Sequence, residues 1–200
     1  MNKNNKYLES GDWLNYALLS NSYIKSAEII CENNEIKEYH RLVMPMIYLL
    51  KHAIELSLKR ILKFDFAVGN KKLHTHDLEV LEKIFLDKLS AFWINNNKQQ
   101  KLWNGIKRDR LINRPMEFDN FVENFQKNMG AFLKNSGFVP NDELNQEQRF
   151  PYGEYSEPTL AIVNLFFSKR NKLVNLAMKI TVDIDIIFDY ILRVNKAAKS

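Results

Sequence analysis

The strongest constraint on the fold is a run of apolar residues at helical spacing between residues 38 and 66. Two neighbouring stripes recur at steps of three and four residues: Val43, Ile47, Leu50, Ile54, Leu58 and Ile61 on the first, and Leu42, Met46, Leu49, Ala53 and Leu56 on the second. Because these stripes cover most of the circumference, we predict that this segment is the central helix of a bundle. Pro45 either bends it near Met44 or marks where its regular part begins, since proline lacks a backbone donor.

Helical spacing also dominates the rest of the chain. It predicts further helices over residues 12–32, 75–89, 98–112, 117–134 and 158–196, with a long loop over 135–157. Only six glycines and five prolines occur, mainly between these segments, which favours helices over many short strands. We therefore predict an all-α fold, an up-and-down helical bundle that forms a single domain over residues 1–200.

The sequence also restricts the compartment and the chemistry. Cys31 is the single cysteine, and the first ten residues lack the apolar run of an export signal, so we expect a cytoplasmic protein. Charged residues interrupt each apolar stretch before the ~18 residues that a membrane span requires, so no membrane contact is expected. The sequence contains no glycine-rich phosphate loop, serine nucleophile motif or CxxC pair. We expect no cofactor and no metal.

The net charge of +5 is concentrated between residues 98 and 114. Six basic residues fall there with Asp109 as the one acid, and the rest of the chain carries equal numbers of basic and acidic residues. The candidates for nucleic-acid binding in this block are Lys107, Arg108, Arg110, Arg114 and Trp103. An aromatic ring among cations suits single-stranded nucleic acid, on whose bases it can stack. A solvated basic helix face is the alternative interpretation.

The last predicted helix places Arg170 on an otherwise apolar stripe. An unpaired guanidinium is costly to bury, so Arg170 must meet a carboxylate, a ligand or a water-filled cleft. A strip of polar residues lies beside it, made of Asn164, Ser168, Asn171 and Asn175. Two interpretations stay open: a structural ion pair between Arg170 and Glu55 on the central helix, or a ligand or phosphate site around Arg170.

The central helix carries charged residues within its apolar surface. Lys51, Glu55 and Lys59 follow one another at four-residue steps, and His52 precedes Glu55 by three residues. We predict that His52 is a satisfied core histidine that forms a hydrogen bond with Glu55, with Lys59 as a structural neighbour.

Two more histidines, His74 and His76, stand beside Asp77 at the start of the third predicted helix, for which Thr75 is the predicted N-cap. Packing or capping is the favoured interpretation of these histidines. A metal site built from His74, His76 and Asp77 is a weak alternative, because no partner motif occurs elsewhere. A role in proton transfer for His76 or His52 is a further alternative.

Three segments together resemble the HEPN superfamily. They are residues 50–59 (LKHAIELSLK), residues 73–78 (LHTHDL) and residues 149–152 (RFPY) before the terminal helix. The resemblance spans about residues 12–192 and implies a small helical bundle, usually a homodimer. Such proteins act as ribonucleases in toxin, abortive-infection and CRISPR systems, or as partners of minimal nucleotidyltransferases. The resemblance places the core at about residues 12–90 and 157–196, with a basic and aromatic insertion at about 91–156.

Active members of this superfamily carry an arginine, a polar residue after it, and a histidine after four to six intervening residues on the last helix. The resemblance therefore assigns the catalytic positions to Arg170 and Asn171, with Asn175 in place of the histidine. In the implied reaction the RNA 2′-hydroxyl attacks the adjacent phosphate, the arginine stabilises the developing charge and the histidine moves the proton. Asn175 cannot titrate, and losing a positioned acid or base typically slows a reaction about 10²- to 10⁴-fold. We therefore expect impaired catalysis.

Two functions are predicted from these features. The first is a HEPN-like protein that binds or acts on RNA in prokaryotic defence or in a toxin and antitoxin pair. Arg170, Asn171 and Asn175 would then face a cleft, preferably at a two-fold dimer interface. Its partners would be RNA, a second copy of the chain, and an antitoxin or a nucleotidyltransferase. The alternative is a non-catalytic dimerisation or protein-interaction module in which Arg170 is held against Glu55.

Overall fold

The computed structural model describes residues 5–32, 42–95, 100–109, 117–136 and 157–197. These residues form seven helices: α1 (Asn5–Glu32), α2 (Val43–Phe64), α3 (Asn70–Leu73), α4 (Leu78–Asn95), α5 (Gln100–Asp109), α6 (Phe118–Ser136) and α7 (Glu157–Ala197). No strand occurs within the described ranges, so the predicted all-α fold is confirmed. None of these helices is long and apolar enough to cross a membrane.

Helix α2 lies at the centre of the bundle, as its apolar surface predicts, and packs against α1, α3, α4 and α7. The fully buried members of its first stripe are Ile47, Leu50, Ile54, Leu58 and Ile61. Burying each such side chain stabilises the fold by about 1.5 to 3 kcal/mol relative to leaving it exposed. Pro45 is the third residue of α2, where its missing backbone donor would have no helical partner. The predicted earlier part, residues 38–41, lies outside the described residues.

Helix α1 runs antiparallel to α2. The ring of Tyr16, in the first half of α1, lies 6.1 Å from that of Phe64 at the end of α2. The ring of Tyr23 lies 5.2 Å from that of His52, nearer the start of α2. The last turn of α1 therefore lies beside the first turns of α2.

Helix α7 runs parallel to α2. Arg60 of α2 forms an ion pair with Asp185 of α7, and its guanidinium lies 5.1 Å from the centroid of the Phe188 ring. Further towards the start of α7, Asn171 contacts Cys31 in the last turn of α1. Helices α1, α2 and α7 therefore lie side by side along much of their lengths.

The connection between α2 and α4 differs from its prediction as a loop followed by a helix capped by Thr75. Residues Asn70–Leu73 form the one-turn helix α3. Asp77 is the N-cap of α4, since its Oδ1 accepts hydrogen bonds from the backbone N–H groups of Glu79 (2.8 Å) and Val80 (3.3 Å). Thr75 accepts a hydrogen bond from the Asp77 N–H at 3.0 Å. A carboxylate complements the positive end of the helix dipole, which a hydroxyl does not.

Helices α5 and α6 pack on α7 and extend the same core. Trp103 of α5 is 1% exposed, and its ring lies 5.3 Å from Phe118, 5.0 Å from Phe121 and 5.4 Å from Tyr190. This environment contradicts the predicted stacking of Trp103 on nucleic-acid bases. The physical reason is that an indole packed among aromatic rings in the core has no face left for a base.

The basic residues predicted to bind nucleic acid fall mostly outside the described part of the chain. This holds for the side chains of Lys107 and Arg108 and for the whole of Arg110 and Arg114. The residues 149–152 that carry part of the HEPN resemblance lie outside it as well. Contacts of these basic residues with nucleic acid stay a prediction.

Candidate functional site

A buried carboxylate, Glu55, is the centre of the candidate site. It is 1% exposed and faces three nitrogen atoms. Its Oε1 lies 2.8 Å from Nζ of Lys59 and 2.9 Å from Nδ1 of His76. Its Oε2 lies 3.3 Å from Nδ1 of His52. The predicted hydrogen bond between His52 and Glu55 is confirmed, and the contact with His76 is an addition that the sequence analysis did not foresee.

Helix geometry explains two of these three contacts. His52 and Lys59 stand three residues before and four residues after Glu55, which places all three side chains on one face of α2. His76 arrives from the segment between α3 and α4. That segment is anchored by the buried side chains of Leu73 and Leu78 on either side, so the folding of this connection carries the imidazole to the carboxylate.

The electrostatics of the cluster determine where its protons lie. Burial by itself raises the pKa of Glu55, but the hydrogen bonds from His52 and Lys59, together with their charges, outweigh it and lower the pKa to about 2. Glu55 is therefore ionised at neutral pH and can only accept hydrogen bonds. It follows that Nδ1, the ring nitrogen that contacts Glu55 in both His52 and His76, carries a hydrogen and donates it.

An open cleft of about 360 Å³ lies beside this cluster. We call it the histidine cleft, and its lining residues are Tyr16, Lys59, Lys63, Asn70, Leu73, His74 and His76. This lining contains two lysines and two histidines and no carboxylate, since Glu55 lies behind Lys59 and His76. A concave surface with this donor set is suited to an anion such as a phosphate group.

Aromatic side chains hold the outer lysine of the cleft. The Nζ of Lys63 lies 5.8 Å from the centroid of the Tyr16 ring and 5.1 Å from that of the Phe64 ring. Such cation–π contacts stabilise the ammonium by about 0.5 to 1 kcal/mol at a partly exposed site. Lys63 is half-buried, so its charge is held at the wall of the cleft.

Arg170 lies on α7 beside the end of α1 and is half-buried. Its Nη1 donates a hydrogen bond of 2.9 Å to the carbonyl oxygen of Phe167, and the guanidinium lies 4.2 Å from the centroid of the Phe167 ring. Next to it, Asn171 accepts a hydrogen bond of 2.9 Å from the thiol of Cys31. Burial raises the pKa of Cys31, against the opposing charge of Arg170, so this thiol is protonated at neutral pH and able to donate.

The ion pair between Arg170 and Glu55, which the sequence left open, is not formed. The oxygen atoms of Glu55 are occupied by His52, Lys59 and His76. Arg170 instead forms its contacts within α7, where its guanidinium donates to the Phe167 carbonyl and lies over the Phe167 ring. The physical reason is distance along the helices, because Arg170 lies near the first turns of α2 and Glu55 lies in its middle.

The polar strip beside Arg170 follows the surface of α7. Ser168, Asn171 and Asn175 are exposed, and the side chain of Asn164 lies outside the described residues. Asn171 contacts Cys31, which stands fifteen residues after Tyr16 on α1 and therefore about 22 Å along it from the histidine cleft. Within one chain the structure does not bring Arg170 and His76 together. The catalytic assignment of Arg170, Asn171 and Asn175 stays a prediction.

Part of the cleft was missed by the sequence analysis. Lys63 had a signal, because it continues the four-residue steps of Lys59 and Glu55 by one more turn. Tyr16 and Asn70 had no such signal, because no local sequence pattern indicates that α1 and α3 line the same cleft.

A metal site at His74, His76 and Asp77 is the weak alternative that the sequence leaves open. Within the ranges that the structure describes, no three His, Cys, Asp or Glu side chains are grouped to hold a metal ion. The third residue of the weak metal pattern, Asp77, caps α4 instead.

Comparisons with protein-family models, with curated proteins and with solved structures found no match to this chain. Its resemblance to the HEPN superfamily therefore stays a prediction.

Proposed function

We propose that this chain binds single-stranded RNA, with a backbone phosphate held in the histidine cleft. The observation that carries the proposal is the lining of the cleft, which contains Lys63, His74 and His76 together with Lys59, the partner of Glu55, and no carboxylate. Phosphate contacts from cationic side chains supply most of the affinity of proteins for nucleic acids.

The size and shape of the cleft favour a single strand over a duplex. Its volume of about 360 Å³ is near the lower end of ligand pockets, which suits one nucleotide unit. The ring of Tyr16 and the exposed ring of His74 border this space. Aromatic and imidazole rings stack on unpaired bases, which only single-stranded RNA presents.

The biological setting of the proposal rests on the HEPN resemblance. It suggests a role in prokaryotic defence or in a toxin and antitoxin pair, with an antitoxin or a nucleotidyltransferase as partner. On that basis Arg170 is a second phosphate contact, supported by its partial exposure on α7. Turnover at Arg170 by the family reaction is impaired, because Asn175 cannot move a proton.

RNA binding is tested by fluorescence anisotropy with a labelled single-stranded RNA. Lys63→Gln removes one charge from the cleft and should weaken binding about fivefold. The slope of log K against log salt concentration should fall by roughly one, because one counterion fewer is released on binding. Lys127→Gln, at an exposed position on α6, makes the same charge change away from the cleft and should bind like wild type. Equal affinity for Lys63→Gln and wild type, or no binding by wild type, would refute the proposal.

A protein-interaction module is the second candidate function, and one observation favours it. Helix α1 carries large apolar side chains that are exposed to solvent: Leu14 (50%), Leu18 (54%), Leu19 (47%) and Ile29 (58%). Exposed apolar patches often mark contacts with other proteins, including a second copy of the same chain. Light scattering measures the molecular mass of wild type and of Leu18→Lys. If the chain forms a dimer through α1, that dimer should dissociate in the variant.

A further inference from the structure

We propose that Asp65 is a proton-operated switch of the histidine cleft. When its carboxyl ionises, the turn after α2 moves towards Arg60 and carries the α3 wall of the cleft with it. The switch concerns the shape of the cleft, and its effect on RNA affinity rests on the proposed function.

Arg60 is the fixed charge of this region. Its side chain is buried between α2 and α7, where it pairs with Asp185, and its guanidinium lies 5.1 Å from the centroid of the Phe188 ring. A buried guanidinium is costly unless carboxylates stay close to it. Neighbouring groups therefore adjust to Arg60 rather than the reverse.

Asp65 is the C-cap residue of α2, five residues after Arg60. It is half-buried, and its Oδ2 is buried with no hydrogen-bond partner among the described residues. Arg60 is the charged group that acts on this carboxyl. From α4, the rings of Phe85 and Phe92 pack against Phe66 of the same turn and bring no charge. A neutral carboxyl is tolerated here, but a carboxylate, which only accepts hydrogen bonds, requires donors.

Both protonation states of Asp65 are populated near neutral pH. Burial raises its pKa to about 7, against the opposing charge of Arg60. The observed arrangement, in which Oδ2 lacks a partner, fits the neutral carboxyl. The nearby donor for the ionised form is the Arg60 guanidinium, whose five N–H groups can serve two carboxylates. Reaching it requires the turn to move.

The turn that carries Asp65 leads directly to the cleft. The backbone N–H of Val68 donates to the Leu62 carbonyl at 2.9 Å, and Ala67 has a φ of 50°, a left-handed conformation that is strained for a residue with a side chain. Helix α3 begins two residues after Val68, and two of its residues line the cleft. A tight turn absorbs little movement by itself, so a displacement at Asp65 should pass to α3.

The switch is tested without ligand by NMR titration of the Leu73 methyl groups, which belong to the cleft wall. In wild type they should follow a one-proton transition with a midpoint near 7. In Asp65→Asn, which keeps the shape of the side chain but cannot ionise, this transition should disappear. Imidazole groups titrate in a similar range, so a transition that persists in Asp65→Asn would be theirs and would overturn the proposal.

A second variant tests the role of Arg60. Asp185→Asn removes the carboxylate that holds Arg60 on α7, so ionised Asp65 gains more from the guanidinium and the midpoint should fall. Asp87→Asn removes an exposed carboxylate on α4 and should leave the midpoint unchanged. An unchanged midpoint in Asp185→Asn would show that Arg60 does not receive Asp65, which overturns the proposal as well.

RNA affinity links the switch to the cleft. Because the observed cleft belongs to the neutral carboxyl, single-stranded RNA should bind wild type about fivefold more weakly than Asp65→Asn at pH 8. The two proteins should bind equally at pH 5. They contain the same histidines, whose titration cancels in the ratio. Asp87→Asn makes the same change in charge and should bind like wild type at both pH values.

Failure of the switch and failure of the proposed function are distinguishable. RNA binding with the same ratio between wild type and Asp65→Asn at pH 5 and pH 8 would overturn the switch and leave the proposed function standing. A Leu73 transition that depends on Asp65, without RNA binding by either protein, would refute the proposed function and support the switch.

Discussion

The Nδ1 atom of His76 lies 2.9 Å from Oε1 of Glu55, which joins the segment before α4 to the middle of α2. Glu55 is buried and His76 is partly exposed, so this contact links the core of the bundle to its surface. A charge placed inside the core is tolerated only when it is paired and hydrogen-bonded. The three donors around Glu55 meet that condition and leave one imidazole facing solvent.

Stability should fall in acid through protonation of Glu55. Its pKa of about 2 in the folded chain lies below the ordinary 4.5, so the ionised form stabilises the fold fully above about pH 4.5 and less as the pH falls towards 2. The contribution is on the order of 3 kcal/mol. In urea denaturation, Glu55→Gln should be destabilised at pH 7 and approach wild type at pH 3. A constant difference between pH 7 and pH 3 would contradict this.

Asp65, after the end of α2, should destabilise the protein at high pH. Burial raises its pKa to about 7, although the charge of Arg60 opposes the shift, and Oδ2 has no hydrogen-bond partner among the described residues. Because the folded state holds this proton more tightly, ionised Asp65 costs stability that is recovered as the pH falls through 7. Asp65→Asn should gain about 1 to 3 kcal/mol at pH 8 and less at pH 5. The exposed Asp87→Asn is the control.

Tyr190 has a buried hydroxyl that a phenylalanine would remove. The residue is 0% exposed, and its hydroxyl has no hydrogen-bond partner within the part of the chain that the structure describes. Burial accordingly raises its pKa to about 12. An unsatisfied buried polar group costs about 1 to 3 kcal/mol, so Tyr190→Phe should raise the thermal midpoint. A lower midpoint would show that the hydroxyl has a partner.

Ser20 joins α1 to α2 through its hydroxyl. This buried side chain donates to the carbonyl oxygen of Ala53 at 2.9 Å and lies 2.8 Å from the hydroxyl oxygen of Ser57. Ser20→Ala removes the hydroxyl that contacts the Ala53 carbonyl and the Ser57 hydroxyl. It should lower the free energy of unfolding by about 1 to 2 kcal/mol. Ser22→Ala is a matched control, because the Ser22 hydroxyl only contacts the Leu18 carbonyl at an exposed position. Equal effects of the two substitutions would contradict a stabilising hydrogen bond between Ser20 of α1 and helix α2.

Trp103 should act on stability rather than on nucleic-acid binding. Its ring is enclosed by aromatic side chains of α6 and α7, so Trp103→Ala opens a cavity and should cost about 3 to 5 kcal/mol. Ile94→Ala, at a position 65% exposed, should change the free energy of unfolding by less than about 0.5 kcal/mol. RNA affinity of Trp103→Ala, measured well below its thermal midpoint, should match that of wild type.

Local patterns were sufficient to predict most helices and their buried faces. Members of the first stripe predicted for α2, including Ile47, Leu50 and Ile54, are fully buried in the structure. The ends of helices were less predictable, as shown by α4, where Asp77 replaces Thr75 as the cap. Thr75 and Asp77 are both residue types that cap helices, and the local pattern does not show at which of them the helix begins.

The candidate site was predictable only in its helical part. The contacts of Glu55 with His52 and Lys59 follow from their spacing on α2. The contact with His76 spans twenty-one residues and depends on how α3 and α4 fold onto α2. Likewise, the pattern of α7 indicated that Arg170 needs a partner but left open which partner it has.

The sequence by itself determined that this chain is all-α, that α2 is central, and that charged residues interrupt its apolar surface. Spacing along one helix suffices for this, because 3.6 residues per turn decide which side chains share a face. Only the tertiary structure decided that His76 completes the environment of Glu55 while Arg170 rests on Phe167. Partners from different helices are selected by distances of a few ångströms between packed elements, and charge interactions and hydrogen bonds depend steeply on those distances.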